Sequence, residues 1–439
     1  MTKTLSIAFA IMLASCSNEK IKDEVTSMFR ANAAHDGKYK SREIIIPVLK
    51  WEFKTGGPIT SSATVDNENL YFGSGDSNFY CLDSKKGELK WEYKTGGGIF
   101  STAALFKGTL YFGSYDGLFY ALNASDGKVK WTFQTAGEKH FSAPGIHGHL
   151  PKDSVFQDDW DFFQSSPAID NETVYFGTGS GYFYALDAST GKEKWNFKSG
   201  GVIHSSPAVG NDKVYFGSWD TYMYALDKNT GKETWKFKTG IDTVIYNQTG
   251  MQGSPVLDGN DLYFGCRDAH LYDLNANDGK LVWKHFTDYA WVSSSPVISG
   301  DKIIYTTGDT RSLVALNKNN GDSIYTVKSK GWILSSPALV NDAVIYYGDL
   351  NGFLYANEVT SGKLVWSYQL ESSKRDVYKI LSSDSILNYA VIFSNKKREQ
   401  EKKSSMEMLF ELGSIHSSPV VKDGKIYFGS TNGNFYAIQ

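Results

Sequence analysis

The feature that most constrains this chain is a repeated unit of about 40 residues with the pattern of four short β-strands. In the copy from Ser205 to Trp235, a Ser-Ser-Pro start is followed by runs in which aromatic and β-branched residues alternate with small or polar ones. Turns rich in Gly, Asn and Asp separate these runs, which is typical of antiparallel strands. The middle residues of the eight starts are Ser62, Thr102, Ser166, Ser206, Ser254, Ser295, Ser336 and Ser418.

Most neighbouring copies are 40 or 41 residues apart, and the longer intervals mark insertions. The first insertion covers 134–164 and the second covers 240–253. A third segment, 372–412, lacks the third strand, the turn glycine and the tryptophan of the unit, so it is predicted to be a degenerate unit or a hairpin. Its charged run, Asn395–Lys403, is predicted to be a solvated loop.

The two ends of the repeat region complement each other. The last copy ends at Tyr436–Gln439 without a fourth strand, whereas Leu49–Phe53 is a fourth strand with no unit before it. Pairing of these segments would close a ring and remove its free sheet edges. Four-stranded units of this period are typical of propeller blades. The sequence therefore predicts an all-β fold over 49–439, an eight-bladed β-propeller of four-stranded antiparallel blades closed by the N-terminal strand.

The N-terminus has the pattern of a secretory signal. Met1–Ser15 contains one lysine, a short apolar core and small residues at its end. Leu13–Cys16 resembles the bacterial lipobox, which implies cleavage before Cys16 and attachment of lipid to it; the following residue, Ser17, implies the outer membrane. Residues 16–48 are expected to form a tether and lead-in. We therefore expect a lipid-anchored protein of the bacterial outer membrane, on its periplasmic or its exterior side.

Charge and cysteine content narrow the functional classes. The formal net charge is −3, so no global basic field is available for nucleic acid, and no nucleic-acid partner is expected.

Cys81 and Cys266 fall in units four positions apart on the predicted ring. Bonded cysteines need Cα atoms about 6 Å apart, so we expect two separate thiols.

The units resemble the pyrroloquinoline-quinone-type (PQQ-type) repeat, as in Ala185–Asp187, Thr190–Lys192 and Trp195. This resemblance extends over Lys50–Gln439 and implies an eight-bladed propeller. It also implies one of two functions, because some relatives are quinone-dependent dehydrogenases and others are scaffolds without chemistry, such as the lipoprotein subunit of the outer-membrane β-barrel assembly machinery. The dehydrogenases carry an adjacent cysteine pair, and here no two cysteines are adjacent. No catalytic residue and no cofactor is assigned, with PQQ and calcium left open.

Function is expected on one face of the ring. Because successive strands of a blade run in opposite directions, the loop before each Ser-Ser-Pro and the turn between the second and third strands lie on the same face. The first two insertions belong to these loops and therefore open on that face. Imidazoles and carboxylates suit a divalent metal, and arginine suits a carboxylate ligand. The alternatives are a solvated lid and, for Arg267, an ion pair to Asp268 or a neighbouring turn. The candidate ligand- or partner-binding residues are His140, His147, His149, Asp158, Asp159, Trp160, Asp161, Tyr246, Gln248, Arg267, His270 and Arg311.

These features predict a membrane-anchored propeller that binds protein or other envelope ligands through the insertion-bearing face. Two alternatives remain, a quinone- or small-molecule-dependent oxidoreductase and a surface glycan-binding lipoprotein. Loop tryptophans on this face are expected to stack a sugar or to anchor a partner. They are Trp160, Trp219, Trp291 and Trp332.

Overall fold

The computed structural model describes residues 27–242, 244 and 246–439. The predicted signal segment, Cys16 and the first part of the tether lie outside the described residues. The repeats form eight antiparallel sheets with four repeat strands each. Seven of them have these strands in sequential order, and the first strands of adjacent sheets contact one another around a central axis. The prediction of an eight-bladed β-propeller is confirmed.

The strands of each blade are given from the axis outward. Blade 1 contains Thr64–Val65, Asn69–Gly73, Asn78–Asp83 and Leu89–Lys94. Blade 2 contains Ala104–Phe106, Thr109–Gly113, Leu118–Asn123 and Val129–Gln134. Blade 3 contains Ala168–Asp170, Thr173–Gly177, Tyr182–Asp187 and Glu193–Lys198. Blade 4 contains Ala208–Val209, Lys213–Gly217, Tyr222–Asp227 and Glu233–Lys238.

The second half of the ring follows the same order. Blade 5 contains Val256–Asp258, Asp261–Cys266, His270–Asn275 and Leu281–Phe286. Blade 6 contains Val297–Ser299, Lys302–Thr306, Ser312–Asn317 and Ser323–Lys328. Blade 7 contains Ala338–Val340, Val344–Gly348, Phe353–Glu358 and Leu364–Gln369. Blade 8 contains Val420–Lys422, Lys425–Gly429, Asn434–Ile438 and Leu49–Lys54.

Blade 8 closes the ring. Its outermost strand, Leu49–Lys54, pairs antiparallel with Asn434–Ile438, so that Lys54 lies opposite Asn434 and Leu49 opposite Ile438. Trp51 and Phe435 stack across this junction with ring centroids 6.4 Å apart. The predicted pairing of the two ends is confirmed.

The second residue of each Ser-Ser-Pro start forms a continuous ring of hydrogen bonds at the axis. In every blade, the backbone N–H of this residue donates to the side-chain hydroxyl of its counterpart in the next blade, at 2.9–3.2 Å. The last bond runs from Ser418 back to Ser62. We call the eight side chains the axial hydroxyl ring. They are Ser62, Thr102, Ser166, Ser206, Ser254, Ser295, Ser336 and Ser418.

The tryptophan in the outermost strand of a blade packs on the turn glycine of the next blade. Trp91 Nε1 donates to the carbonyl of Ala124 at 3.2 Å, and its ring covers Gly127. Gly127 has φ +70°, and a Cβ atom there would lie 2.6 Å from the Trp91 ring. The glycine is therefore required both for its backbone conformation and for the close approach of the tryptophan.

Replacing Gly127 with alanine is expected to destabilise the protein more than the same change at Gly108. Gly108 has a similar φ of +67° but nothing within 4 Å of the added methyl. Gly108→Ala should therefore cost only the left-handed strain, about 1–2 kcal/mol. Gly127→Ala should cost about 1–3 kcal/mol more because of the clash. Urea unfolding of both variants measures the difference, and equal losses would contradict this account of the interface.

Residues 27–48 are packed against the face opposite the insertions. Within this segment, Lys38–Tyr39 adds a fifth, parallel strand to blade 7 beside Ala338–Val340. Trp366 Nε1 donates to the carbonyl of Ile44 at 2.7 Å, which replaces the turn contact that other blades provide. This part of the expected tether and lead-in is therefore an integral layer of the propeller.

The third insertion differs from the prediction of a degenerate unit or a hairpin. It contains four helices, α1 (Glu371–Arg375), α2 (Tyr389–Ile392), α3 (Asn395–Glu401) and α4 (Ser405–Leu412). The charged run, predicted as a loop, is largely α3. A capping box between Ser404 and Glu407 starts α4, whose apolar side chains at helical spacing are buried. Among the described residues, no helix has the length and apolar character to span a bilayer.

The two described cysteines are buried in separate blades. Cys81 lies in blade 1 and Cys266 in blade 5, and both are free thiols. Burial raises the pKa of the Cys81 thiol to about 12 and that of Cys266 well above its ordinary value. These thiols are therefore protonated, inert core groups.

Candidate functional site

The three insertions meet over one end of the axis. Each connects the outermost strand of one blade to the innermost strand of the next, so all three open on the same face. The first insertion also contains a two-stranded hairpin, Ser142–Pro144 with Val155–Gln157, and a 3-10 turn at Ile146–Gly148. Phe162 of the first insertion packs against Phe410 of the third, with centroids 5.7 Å apart. We call the three insertions together the cap.

A buried ion pair fixes the cap to blade 5. Arg267, in the turn between the second and third strands, is completely buried and pairs with the carboxylate of Asp158. Its guanidinium lies between Trp219 and Trp291, 4.5 Å and 4.0 Å from their ring centroids. Gln252 accepts a further hydrogen bond from Arg267 Nε at 3.2 Å. Burial alone would raise the pKa of Asp158, but Arg267 and His147 hold it well below its usual range.

His147 joins the first and second insertions. Its Nε2 lies 2.8 Å from Asp158 Oδ1, and its Nδ1 lies 2.9 Å from Asn247 Oδ1. The carboxylate of Asp158 therefore has partners from blade 5 and from its own insertion. The sequence predicted a carboxylate for Arg267, and the structure supplies it from within the chain rather than from a ligand or from Asp268.

A second buried network lies beside the axis. His204, the residue before the Ser-Ser-Pro start of blade 4, places Nδ1 2.8 Å from Asp161 Oδ1. Its Nε2 is 3.5 Å from Glu138 Oε2. Burial opposes protonation, but the two carboxylates prevail and raise the pKa of His204 to about 10. His140 Nδ1 lies 2.8 Å from the carbonyl oxygen of Asp161.

These contacts show what the clustered His and Asp side chains do in the cap. His140, His147, Asp158 and Asp161 are occupied with one another and with the blades. No group of three or more His, Cys, Asp or Glu side chains among the described residues is arranged to hold a metal ion. The arrangement is a polar core that holds the cap on the propeller.

The other candidates lie around this core, and Trp160 contacts it directly, because its carbonyl accepts from Arg267 Nη2 at 3.1 Å and its N–H donates to Asp158 Oδ1 at 2.9 Å. His149 and Asp159 are exposed in the first insertion, and the His149 ring lies 5.1 Å from Phe156. In the second insertion Tyr246 is half-buried, and Gln248 donates to the carbonyl of Tyr289 at 3.4 Å. His270 packs on Tyr272 and Phe286. Trp160 is half-buried against Trp332, with centroids 5.0 Å apart.

Arg311 lines an open groove between blade 6 and the third insertion. The groove has a volume of about 400 Å³ and is also lined by Asp309, Trp332, Leu387 and Tyr389. Trp332 and Tyr389 stack with centroids 5.5 Å apart and form its aromatic wall. Among the described residues, the guanidinium makes one hydrogen bond, from Nη1 to the carbonyl of Lys330 at 3.3 Å, and no ion pair. Arg311 therefore retains donors for a ligand, unlike Arg267.

Three important residues, Glu138, His204 and Tyr389, were not among the sequence candidates. His204 stands directly before a Ser-Ser-Pro start, where other copies have residues such as Thr60, Phe100 or Leu334. This departure from the repeat was a usable signal. Glu138 and Tyr389 lie in insertions, where the repeat gives no register.

The fold and the repeat define a β-propeller of the PQQ-type repeat class. The chain belongs to the family described as outer membrane protein assembly factor BamB, whose sequence profile matches residues 48–145, 153–290 and 267–439. Comparison with curated protein sequences gives no significant match.

Solved structures share the architecture at low sequence identity. BamB from Moraxella catarrhalis matches with a TM-score of 0.64 and 14% identity, covering 90% of this chain and 100% of that one. A quinohemoprotein alcohol dehydrogenase from Comamonas testosteroni matches with a TM-score of 0.67 and 13% identity, covering 94% and 80%. A europium-containing methanol dehydrogenase matches with a TM-score of 0.65 and 15% identity, covering 93% of this chain and 90% of that one. At these identities the likeness shows the fold alone.

The axis of this propeller does not fit a quinone cofactor. The cavity there has a volume of about 30 Å³, whereas pockets for organic ligands are roughly 300–1,000 Å³. Its lining includes Gln164 and His204 together with Phe29 of the N-terminal segment. A ring system of quinone size would have to displace the cap and its buried ion pairs.

Proposed function

We propose that this protein is a lipid-anchored binding scaffold of the bacterial outer membrane that holds a protein partner on its cap. The observation that carries the proposal is the concentration of all three insertions and the open groove on a single face. The family's description as an outer membrane protein assembly factor supports a partner from that assembly process.

The surface of the cap has the composition of a docking site. Exposed apolar side chains occur in the first and second insertions and in the adjoining loop of blade 5. They are Leu150, Val155, Ile241, Val244 and Tyr289. Such side chains contribute apolar area at an interface. The Arg311 groove adds one cation, two aromatic rings and the carboxyl of Asp309, whose pKa is raised by burial. An extended segment carrying a carboxylate next to an apolar residue fits this chemistry.

The N-terminal end of the described chain and the cap lie on opposite faces. Ser27, the first described residue, pairs with Leu105 at the end of the innermost strand of blade 2, away from the insertions. Ser27 is 11 positions after Cys16 in the sequence, and a chain of this length reaches at most about 40 Å. We therefore propose that lipid on Cys16 holds the opposite face near the membrane and presents the cap to the partner.

Site-specific photocrosslinking in the native envelope tests this proposal. A photoreactive residue at Tyr389, in the groove, is expected to crosslink to components of outer membrane protein assembly. The same residue at Lys128, exposed on the opposite face, is the matched control and should give none of these products. Arg311→Ala should reduce the Tyr389 products about tenfold, because it removes a charge-assisted hydrogen bond. Crosslinks only from Lys128, or equal yields with and without Arg311, would overturn the proposal.

The oxidoreductase alternative has one supporting observation, the shared architecture with two dehydrogenases. It predicts that added quinone and calcium give dye reduction by the purified protein. The small axial cavity favours the scaffold over this alternative.

A further inference from the structure

The eight hydroxyl groups of the axial hydroxyl ring have no acceptor for their hydrogens among the described protein atoms. Each hydroxyl oxygen accepts one backbone N–H from the preceding blade. Among the described residues, none of the eight hydroxyls donates to a protein atom. A hydroxyl has one donor and two acceptor positions, so each of these groups retains its hydrogen for something inside the ring.

The space inside the ring is small and rich in donors. All eight hydroxyls line the axial cavity, and no carboxylate is among its lining residues. His416, which is 2% exposed, also lines it, and its buried Nδ1 has no hydrogen-bond partner. Buried polar groups are rarely left unpaired, so these atoms indicate an occupant. The volume of about 30 Å³ suits about two water molecules or one monatomic anion.

A buried cation lies next to the ring. Arg30 is 3% exposed, and its guanidinium donates to the carbonyls of His35, Pro296 and Pro337. Pro296 and Pro337 directly follow the ring residues Ser295 and Ser336. Burial lowers the pKa of Arg30 to about 10, against smaller opposing effects of Tyr39 and Asp36, so the guanidinium stays charged at neutral pH. Arg30 forms no ion pair with any described carboxylate. An anion on the axis would supply a countercharge for this guanidinium.

Asp161 and Glu138, the nearest carboxylates on the cap side, do not face the cavity. Asp161 is hydrogen-bonded to His204 Nδ1 and accepts from the backbone N–H of Phe141. Glu138 accepts from the backbone N–H of Gly179, and its Oε2 lies 3.5 Å from His204 Nε2. His204 therefore stands between these charges and the axis. The groups that face the ring centre are donors or neutral.

We propose that the axial cavity binds a halide-sized anion, held by the converging hydroxyls of the axial hydroxyl ring. The anion would be a structural ligand shared by all eight blades. This site is independent of any partner on the cap.

Bromide is the direct probe, because its anomalous scattering distinguishes it from water. Crystals of the wild-type protein grown in sodium bromide are expected to show one anomalous peak on the axis at the level of the ring. Electron density for water alone at this position, without an anomalous peak, would overturn the proposal. This measurement needs no variant and decides the question even where ring substitutions prevent folding.

Thermal unfolding gives the matching solution test. The melting temperature is expected to rise saturably with sodium chloride relative to sodium gluconate at equal ionic strength, because a ligand that binds only the folded state stabilises it. The double variant Ser206→Ala/Ser418→Ala should raise the apparent chloride Kd at least tenfold. Ser205→Ala/Ser417→Ala is the matched control, because these hydroxyls bond within their own blades. An equal rise in the apparent chloride Kd in both double variants would overturn the proposal.

Discussion

Replacing Arg267 with alanine is expected to lower the free energy of unfolding by about 3–5 kcal/mol. The change leaves the Asp158 carboxylate buried without its cation, and it removes the group that fills the space between Trp219 and Trp291. The cap would lose its main attachment to blade 5. Urea unfolding followed by tryptophan fluorescence measures the loss.

Arg311→Ala is the matched control for this experiment. Arg311 occupies the corresponding turn of the next blade, is partly exposed and makes a single hydrogen bond. Its removal should change stability by no more than about 0.5 kcal/mol. The double change Arg267→Met with Asp158→Leu should cost less than Arg267→Ala, since it removes both charges together. Similar small losses for Arg267→Ala and Arg311→Ala would contradict the proposed role of the ion pair.

Replacing Asp273 with alanine is expected to stabilise the protein by about 2–4 kcal/mol at pH 7. Asp273 is 1% exposed in the third strand of blade 5, and its Oδ1 has no hydrogen-bond partner. The equivalent position holds alanine in six other blades, for example Ala225 and Ala315, and Cys81 in blade 1. Alanine therefore fits the space and removes a buried, unpaired carboxyl group.

The effect of Asp273 should depend on pH in a defined direction. Burial and the nearby Asp261 raise the pKa of this carboxyl from 3.8 to about 8, against a smaller opposing effect of Lys318. The folded state thus holds a proton that the unfolded chain releases near pH 4, so the wild type loses stability as pH rises from about 4 to about 8. The advantage of Asp273→Ala should grow over that window, by at most about 1.4 kcal/mol per pH unit, and then level off.

Asp273→Asn separates charge from polarity. The amide has nearly the same shape and does not titrate, so this variant should lose the pH dependence yet keep part of the cost of an unpaired buried polar group. Melting temperatures of the three proteins between pH 4 and pH 9 test both points. A pH-independent difference between wild type and Asp273→Ala would show that the carboxyl does not titrate in this range.

The sequence predicted the parts of the fold that repeat. The copy from Ser205 to Trp235, predicted to form four short strands, contains the first three strands of blade 4 and the start of the fourth. Closure through Leu49–Phe53 was predictable because a lone fourth strand and a missing one are visible without coordinates. Because the pattern occurs eight times, an irregular residue in one copy does not obscure the strand assignment.

The candidate site was less predictable, because its key contacts join segments without a common register. Arg267 and Asp158 are 109 positions apart, one in a repeat turn and the other in an insertion. Sequence reasoning identified both residues but assigned them to an external ligand. The helices of the third insertion were missed because the segment was interpreted as a degenerate unit or a hairpin, although Met408, Leu409 and Leu412 have helical spacing.

The shared construction of blade 8 has a consequence for biogenesis. Its outermost strand is contributed by residues near position 50 and its other strands by the last 20 residues. During synthesis or export, a chain that has not delivered its final segment has an incomplete sheet at each end of the growing arc. Such intermediates expose strand edges that pair readily with other chains. Soluble chaperones that shield these edges until translation and transport finish should therefore determine how much protein reaches its mature state.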